Sequence, residues 1–361
     1  MELTTIYLEA KDSTKRLACL LRLHEIFKQA VEQTDYLKKK FINIQSEKQL
    51  AKGLRYSANS VSCNYFHLEF YEHWHMQSFI VTSAHATLDF SKASGICKMP
   101  LLRNFCIERI ISLGNLSIVH RNLESISWLD SCLCTKDLFT MIPNLKKLGI
   151  DGEDNGKNIL DCFCNFMHLR KLEELSIRDW GTLNHIPCSG IPWETSFLPK
   201  LKKLKFSMTN LAWSDMKLIG MLPNLEVLKL KRAIASEDRM WEPSKEGFRQ
   251  LKRLVIEDRY FERWNVVGDN FPVLECLELR NCYSLQEIPN GFADITTLVL
   301  IQLNSCCDSV LASAKLIQEE QYNNYGNALL VRSENIKTKS VNNKEGKSGV
   351  EEEIDELCYQ Q

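Results

Sequence analysis

A short apolar phrase, Leu-x-x-Leu-x-Leu, returns along most of the chain, and nothing else in the sequence restricts the fold so tightly. Its clearest copies are Leu225-Glu-Val-Leu228-Lys-Leu230 and Leu274-Glu-Cys-Leu277-Glu-Leu279. The leading apolar residues are Leu102, Leu123, Leu145, Leu172, Leu201, Leu225, Leu251, Leu274 and Leu298, with successive spacings of 21, 22, 27, 29, 24, 26, 23 and 24 residues. Five of the nine follow a proline by two positions (Pro100, Pro143, Pro199, Pro223, Pro272). A residue without an N–H, its φ held near about −65°, suits a chain passing from a loop into a strand. Apolar pattern and punctuation therefore mark the same period.

Side chains alternate along a strand, so the second and third leucines of each phrase share one face and the residues beside them take the other. One such strand cannot bury its apolar face alone, so successive units must stack around a shared core. The spacings lie inside the period of about 20 to 29 residues that marks leucine-rich repeats. The longer frame agrees: Leu274-x-x-Leu277-x-Leu279-x-x-Cys282-x-x-Leu285-x-x-Ile288-Pro289 has Cys where such repeats turn the chain with Asn or Cys. Leu172 to Pro187 repeats the frame with Trp180 at the turn, and Leu298-x-x-Ile301-x-Leu303-x-x-Cys306 carries it onward. The expected fold is an α/β leucine-rich-repeat solenoid, a curved horseshoe with short parallel strands on its concave face.

Around this core the chain divides by composition. Residues 1–55 read as a helical N-terminal segment: Leu17, Leu20, Leu21, Ile26, Phe27, Val31, Tyr36 and Leu37 recur at roughly helical spacing, with neither Pro nor Gly before Gly53. The Lys38-Lys39-Lys40 run reads as a solvated face of that helix. Residues 56–94, rich in Ser, Asn, His and aromatics, read as an irregular or degenerate-repeat cap. The solenoid of about nine units is expected over 95–310, with a closing helix near Ser309 to Gln321 inside a cap at 311–332. Residues 333–361, ending in Glu351-Glu-Glu-Ile-Asp-Glu356, are too polar to order themselves and are expected to be a disordered acidic tail.

Net charge is −1, which gives no basic field for nucleic acid. No run reaches the roughly 18 apolar residues of a membrane span. The start, Met1-Glu-Leu-Thr-Thr, has no signal-peptide pattern, so the fourteen cysteines are expected to be reduced thiols of a cytoplasmic protein. Candidate chemistry is sparse. Gly152-Glu-Asp-Asn-Gly156-Lys157-Asn158 is one residue shorter than a phosphate loop, lacks the Ser or Thr after its Lys, and sets Glu153 and Asp154 where phosphates would lie. Cys63, His67, His73, His75 and His85 offer zinc donors without a second tight pair at a defined distance. Cys132-Leu-Cys134 and Cys162-Phe-Cys164 are closer than metal or redox pairs prefer and read as buried thiols. No nucleophile and base appear in a recognisable motif, so neither enzyme activity nor a cofactor is expected.

What remains is the face opposite the leucines. The outward strand positions are Lys147, Gly149, Asp151; Glu174, Ser176, Arg178; Lys203, Lys205, Ser207; Val227, Lys229, Lys231; Arg253, Val255, Glu257; and Cys276, Glu278, Arg280. Lys203, Lys205, Lys229, Lys231 and Arg253 form a basic stripe over three neighbouring strands. With Arg178, Glu257 and Arg280 they are the expected contacts for a protein ligand.

Three features together resemble one known family: the Pro-Asn-Leu-x-x-Leu-x-Leu start of Pro223 to Leu230, the Cys282-x-x-Leu285-x-x-Ile288-Pro289 return, and the closing run Phe292-Ala-Asp-Ile295 through Cys306, followed by Ser313-Ala-Lys315-Leu-Ile-Gln-Glu-Glu-Gln321. They are similar to the C-terminal repeats of plant nucleotide-binding leucine-rich-repeat immune receptors of the late-blight resistance type, over roughly residues 95–335. The resemblance implies a cytosolic, non-enzymatic sensor. Its ligand would be a pathogen effector or a guarded host protein, and it would restrain a nucleotide-binding switch domain, here that of a relative. The family's Gly-rich Lys-Ser/Thr loop, Gly-Leu-Pro-Leu motif and Met-His-Asp motif do not occur in this sequence, so no nucleotide-binding residue is carried over. Plant F-box adaptors of ubiquitin ligases use similar repeats and supply the alternative. The Leu-Pro opening and Trp-bearing end of an F-box have no counterpart in residues 1–55, which hold neither Pro nor Trp.

Overall fold

The computed structural model of the chain describes residues 56–60, 75–82, 87–89, 99–107, 109–113, 118–152, 162, 164–179, 198–235, 239–245 and 247–334. They fall into two compact units that adjoin in sequence at Ser127 and Trp128. The helix expected over residues 1–55 and the tail after Glu334 lie outside the described residues.

The first unit holds β1 (Tyr56–Ser60), β2 (Ser78–Thr82), β3 (Thr87–Asp89), β4 (Asn104–Ile107), β5 (Arg109–Ser112) and the start of β6 (Ser125–Asp130). All pairings here are parallel: Tyr56 with Ser78, Ser78 with Asn104, Asn104 with Ser125, and Thr87 with Arg109. The second unit continues with the short helix α1 (Lys136–Met141), then β7 (Lys147–Gly152), β8 (Glu174–Asp179), β9 (Lys203–Ser207), α2 (Met216–Ile219), β10 (Val227–Lys231), β11 (Met240–Trp241), β12 (Arg253–Glu257), β13 (Arg263–Trp264), β14 (Cys276–Arg280), β15 (Leu300–Asn304), the long helix α3 (Asp308–Tyr325) and β16 (Leu330–Glu334). Its main sheet runs β7-β8-β9-β10-β12-β14-β15-β16, and β11 pairs with β13 apart from it. The fold is α/β with a parallel sheet and few helices.

Unbroken register is what turns the sequence phrase into a core. Leu148, Leu175, Leu204, Leu228, Leu254, Leu277 and Ile301 are successive partners in one row. Ile150, Ile177, Phe206, Leu230, Ile256, Leu279 and Leu303 form the next, and no member of either row is more than 2% exposed. Each such side chain taken from water contributes about 1.5–3 kcal/mol. Two backbone devices repeat with the units. After seven of the nine leading leucines the next residue offers its carbonyl to two N–H groups of the following unit, as Lys202 does to Glu226 and Val227, and Glu226 to Lys252 and Arg253. The leading leucine itself donates its N–H to the third residue before it, in Leu145 to Ile142, Leu172 to Leu169, Leu201 to Leu198, Leu251 to Phe248 and Leu274 to Phe271. The Asn before the leading leucine acquires a reason here, because the Asn122 and Asn224 side chains donate to the carbonyls of Pro100 and Pro199 one unit earlier.

Behind the strands, aromatic rings stack from unit to unit: Trp213 on Trp241 at 4.8 Å between centroids, Trp241 near Trp264 at 6.1 Å, and Trp264 against Phe292 at 4.8 Å. A second run, Phe248, Phe271 and Phe292, lies alongside at 5.5 and 6.1 Å. Offset and edge contacts at these separations add to the burial of the rings. Helix α3 lies over the last turns, burying Val310, Ala314, Ile317 and Gln321, and Gly326 ends it in the left-handed conformation at φ 69°.

One observation refines the sequence reading and two revise it. The same carbonyl device appears at Gln77, which accepts from Arg103 and Asn104, so the fully buried Met76 leads a unit within the span expected to be an irregular or degenerate-repeat cap, in keeping with its repeat alternative. At the other end α3 is longer than expected, and beyond it β16 continues the register of β15, pairing Leu300 with Leu330. The described cysteines are free thiols, with one exception: Cys106, on β4, is disulfide-bonded. The expectation of uniformly reduced thiols fails there, because a disulfide depends on proximity in the fold, which linear spacing does not reveal.

Candidate functional site

The outward positions of the second unit lie in three registered rows. The first reads Lys147, Glu174, Lys203, Val227, Arg253, Cys276; the second Gly149, Ser176, Lys205, Lys229, Val255, Glu278; the third Asp151, Arg178, Ser207, Lys231, Glu257, Arg280. Lys205 and Lys229 are thus direct neighbours, at the spacing of about 4.8 Å between strands. Lys231 follows two residues along from Lys229. Val227 separates Lys203 from Arg253, so the stripe is continuous only through its middle row.

Three carboxylates subdivide this face. Glu174 is bracketed by Lys147 at 3.5 Å and Lys203 at 2.9 Å. Glu278 receives Arg253 and Arg280, each at 2.7 Å. Burial alone would raise the Glu278 carboxyl, but the hydrogen bonds and charges of the two guanidinium groups outweigh it and hold the group below its ordinary value. Asp151 pairs with Arg178 at 3.0 Å, and the Arg178 guanidinium lies 4.0 Å from the centre of the Trp128 ring. Arg178 is only 3% exposed. It is held inside the layer by an ion pair and a ring face, so it organises the surface and offers no contact of its own to a ligand.

Exposure sorts the rest. The side chains of Lys203, Arg253 and Arg280 are 39%, 44% and 37% exposed, while Lys229, Lys231 and Glu257 are half-buried and Lys205 is buried. Asn281 Nδ2 reaches Glu257 at 3.5 Å, tying the third row to the turn after β14. The face can present donors to carboxylates from both ends of the stripe.

The remaining sequence candidates fall elsewhere. Of the histidine-rich stretch, His75 is described and exposed, while Cys63, His67, His73 and His85 lie outside the described residues. Gly152 closes β7, and the rest of the glycine-bearing loop also lies outside them. Among the described residues no group of three His, Cys, Asp or Glu side chains is placed to hold a metal ion. Cys134 and Cys162 are both buried and donate to the carbonyls of Asp130 and Ser131, and burial, followed by the neighbouring Cys162 thiol, pushes the Cys134 thiol well up. No helix among the described residues is long and apolar enough to cross a membrane.

One site feature was invisible in the sequence. Asp151, Arg178 and Trp128 stand 27 and 50 positions apart, and Trp128, within β6 at φ 52°, has its ring 4.0 Å from the Arg178 guanidinium.

No family model matches the chain. Among curated proteins the chain is similar to late blight resistance proteins of Solanum demissum. It is 44% identical to one putative homolog over 130 residues, 36% of this chain and 10% of that protein. A second putative homolog is 38% identical over 165 residues, 44% of this chain and 12% of that protein. The late blight resistance protein R1-A is 41% identical over 132 residues, 36% of this chain and 10% of that protein. The chain spans about a tenth of the length of these relatives.

Proposed function

We propose that this chain is a leucine-rich-repeat solenoid with the recognition role of an intracellular plant disease-resistance receptor, and that it binds an acidic protein surface through the outward face of β9, β10 and β12. Lys203, Lys229, Lys231 and Arg253 are its contacts, with the buried Lys205 adding its charge to the same stripe and Glu257 and Arg280 at the margin. The observation that carries this reading is the stack of cations on adjoining strands, in a chain 41% identical over 132 residues to a late blight resistance protein. Lys203 and Arg253 already pair with Glu174 and Glu278, and the cations gathered on this face attract a partner's carboxylates, so charge complementarity selects the ligand and speeds its approach. A pathogen effector, a host protein altered by one, and the nucleotide-binding domain of a full-length relative are the partner classes. The protein acts without catalysis, in the cytoplasm.

The test is retention of acidic effectors and of a relative's nucleotide-binding domain on the immobilised chain, at low and at moderate salt. Wild type should hold at least one of them, less firmly as the screening length shortens to about 10 Å at 0.1 M salt. A protein in which Lys203, Lys205, Lys229, Lys231 and Arg253 are all replaced by Ser should lose that partner and the salt dependence together. Unchanged partners with unchanged salt response would remove this face from recognition.

A further inference from the structure

Outside the recognition face, the turns after β14 and β15 bring together two thiols that the proposed function does not use. Arg280 and Asn304 are registered partners at the ends of these strands. The next residues, Asn281 and Ser305, turn the chain in the same left-handed way, at φ 51° and 53°. Cys282 and Cys306 are consequently set side by side, one unit apart. The Cys282 thiol donates to Arg280 O at 3.3 Å, and the Cys306 thiol to Leu279 O at 3.5 Å. Neighbouring parallel strands lie about 4.8 Å apart, within the Cα separation of about 4.4–6.8 Å that a disulfide accepts. Cys282 is fully buried, whereas Cys306 is half-buried. Oxidant therefore meets Cys306 first.

We propose that Cys282 and Cys306 form a peroxide-responsive thiol pair, Cys306 the attacking sulfur and Cys282 the resolving one. The Cys306 thiolate attacks one oxygen of hydrogen peroxide; an S–O bond forms, the O–O bond breaks, and hydroxide leaves and is protonated to water. Cys282 sulfur then attacks Cys306 sulfur; the S–S bond forms, the S–O bond breaks, and the second oxygen departs as water with the remaining thiol proton. Two electrons pass from the two thiols to one peroxide, and two waters result. The contact from Cys282 outweighs burial and makes Cys306 the more acidic member, as an attacking thiol requires. Three other cysteines sharpen the assignment. Cys134 and Cys162 likewise donate to backbone carbonyls, those of Asp130 and Ser131, but are each only 3% exposed. Cys307, beside the pair, directs its thiol away to Tyr283 O at 2.8 Å.

Peroxide treatment of the full chain, alkylation of free thiols before unfolding, and mass mapping of the linked peptides tests the proposal. The expected product is a single new cross-link joining Cys282 to Cys306, with Cys134 and Cys162 recovered alkylated after unfolding. In Cys282→Ser the resolving sulfur is gone, and Cys306 should accumulate as a sulfenic acid captured by dimedone. A link from Cys306 to any other cysteine, oxidation of Cys134 and Cys162 ahead of this pair, or a wild-type chain with both thiols still free after treatment would each overturn it.

Discussion

At the scale of single residues, His120 shows most clearly how the repeat frame dictates chemistry. The third position before each leading leucine is apolar in unit after unit, as at Ile142, Leu169, Leu198, Leu222, Phe248, Phe271 and Ile295, and every one of these is buried. Before Leu123 that position is His120, 2% exposed, with neither ring nitrogen hydrogen-bonded. Burial disfavours the charged ring and lowers its pKa below the ordinary value. The sign of the consequence follows. Below about pH 6.5 the unfolded chain takes up a proton that the folded one refuses, so stability declines as pH falls through that value and levels off once the folded pKa is passed. Replacing His120 with Leu should raise stability by about 1–2 kcal/mol, because an unsatisfied polar group leaves the core. It should also flatten the loss between pH 7.5 and 5 in thermal melts. A variant no more stable than wild type, with the same acid slope, would place the ring's protonation outside the folding balance.

At the scale of elements, the units that follow the leucine phrase were legible, and those that replace its letters were not. Periodicity found the strands from β4 to β15 wherever Leu or Ile filled the template. It missed the unit led by Met76, although Met76-x-x-Phe79-x-Val81 is the same frame in other apolar residues. It missed β16 because Ser333 occupies the second core position and the rest of that strand is largely exposed. Helix α3 was anticipated, but what docks it is partly polar and therefore silent in a hydrophobic pattern. Gln321 Nε2 donates to Ile295 O at 2.8 Å and to Phe292 O at 3.3 Å, while Ser313 Oγ accepts from the Ile288 N–H at 2.9 Å. The outward face was legible as a register of cations; its division by Glu174, Glu278 and the Asp151–Arg178 pair needed distances. If α3 covers the last turns, Ile317→Asp should release it at a cost of several kcal/mol, since an unpaired carboxylate cannot remain in that contact. Leu316→Asp, at a position 62% exposed, should stay within about 0.5 kcal/mol. Limited proteolysis decides between them: rapid cleavage within Asp308–Tyr325 is expected for the first variant only, and equal resistance in both would deny the helix its covering role.

At the scale of the whole molecule, the second unit is built almost entirely from contacts between consecutive repeats. Each main strand hydrogen-bonds to the strand before and the strand after it, the carbonyl device joins neighbours, and the aromatic rings stack one unit at a time. Stability in such an array is approximately a sum of unit and nearest-neighbour terms, so damage should fade with distance along the chain. Leu228, on β10 and fully buried, is the place to apply it: Leu228→Ala removes apolar contacts and leaves a cavity, at a cost of about 2–5 kcal/mol. In native-state hydrogen exchange, amides of β9 and β12 should accelerate most, those of β8 and β14 less, and those of β15 least. Lys229→Ala, on the opposite face of the same strand, should leave this gradient absent, since alternation puts its side chain outside the core. A uniform acceleration across every strand from β7 to β16 would show that the unit opens all at once. In that case a ligand on the cationic face of β9, β10 and β12 would stabilise the entire unit equally, whereas nearest-neighbour coupling confines its effect to the strands it touches and those beside them.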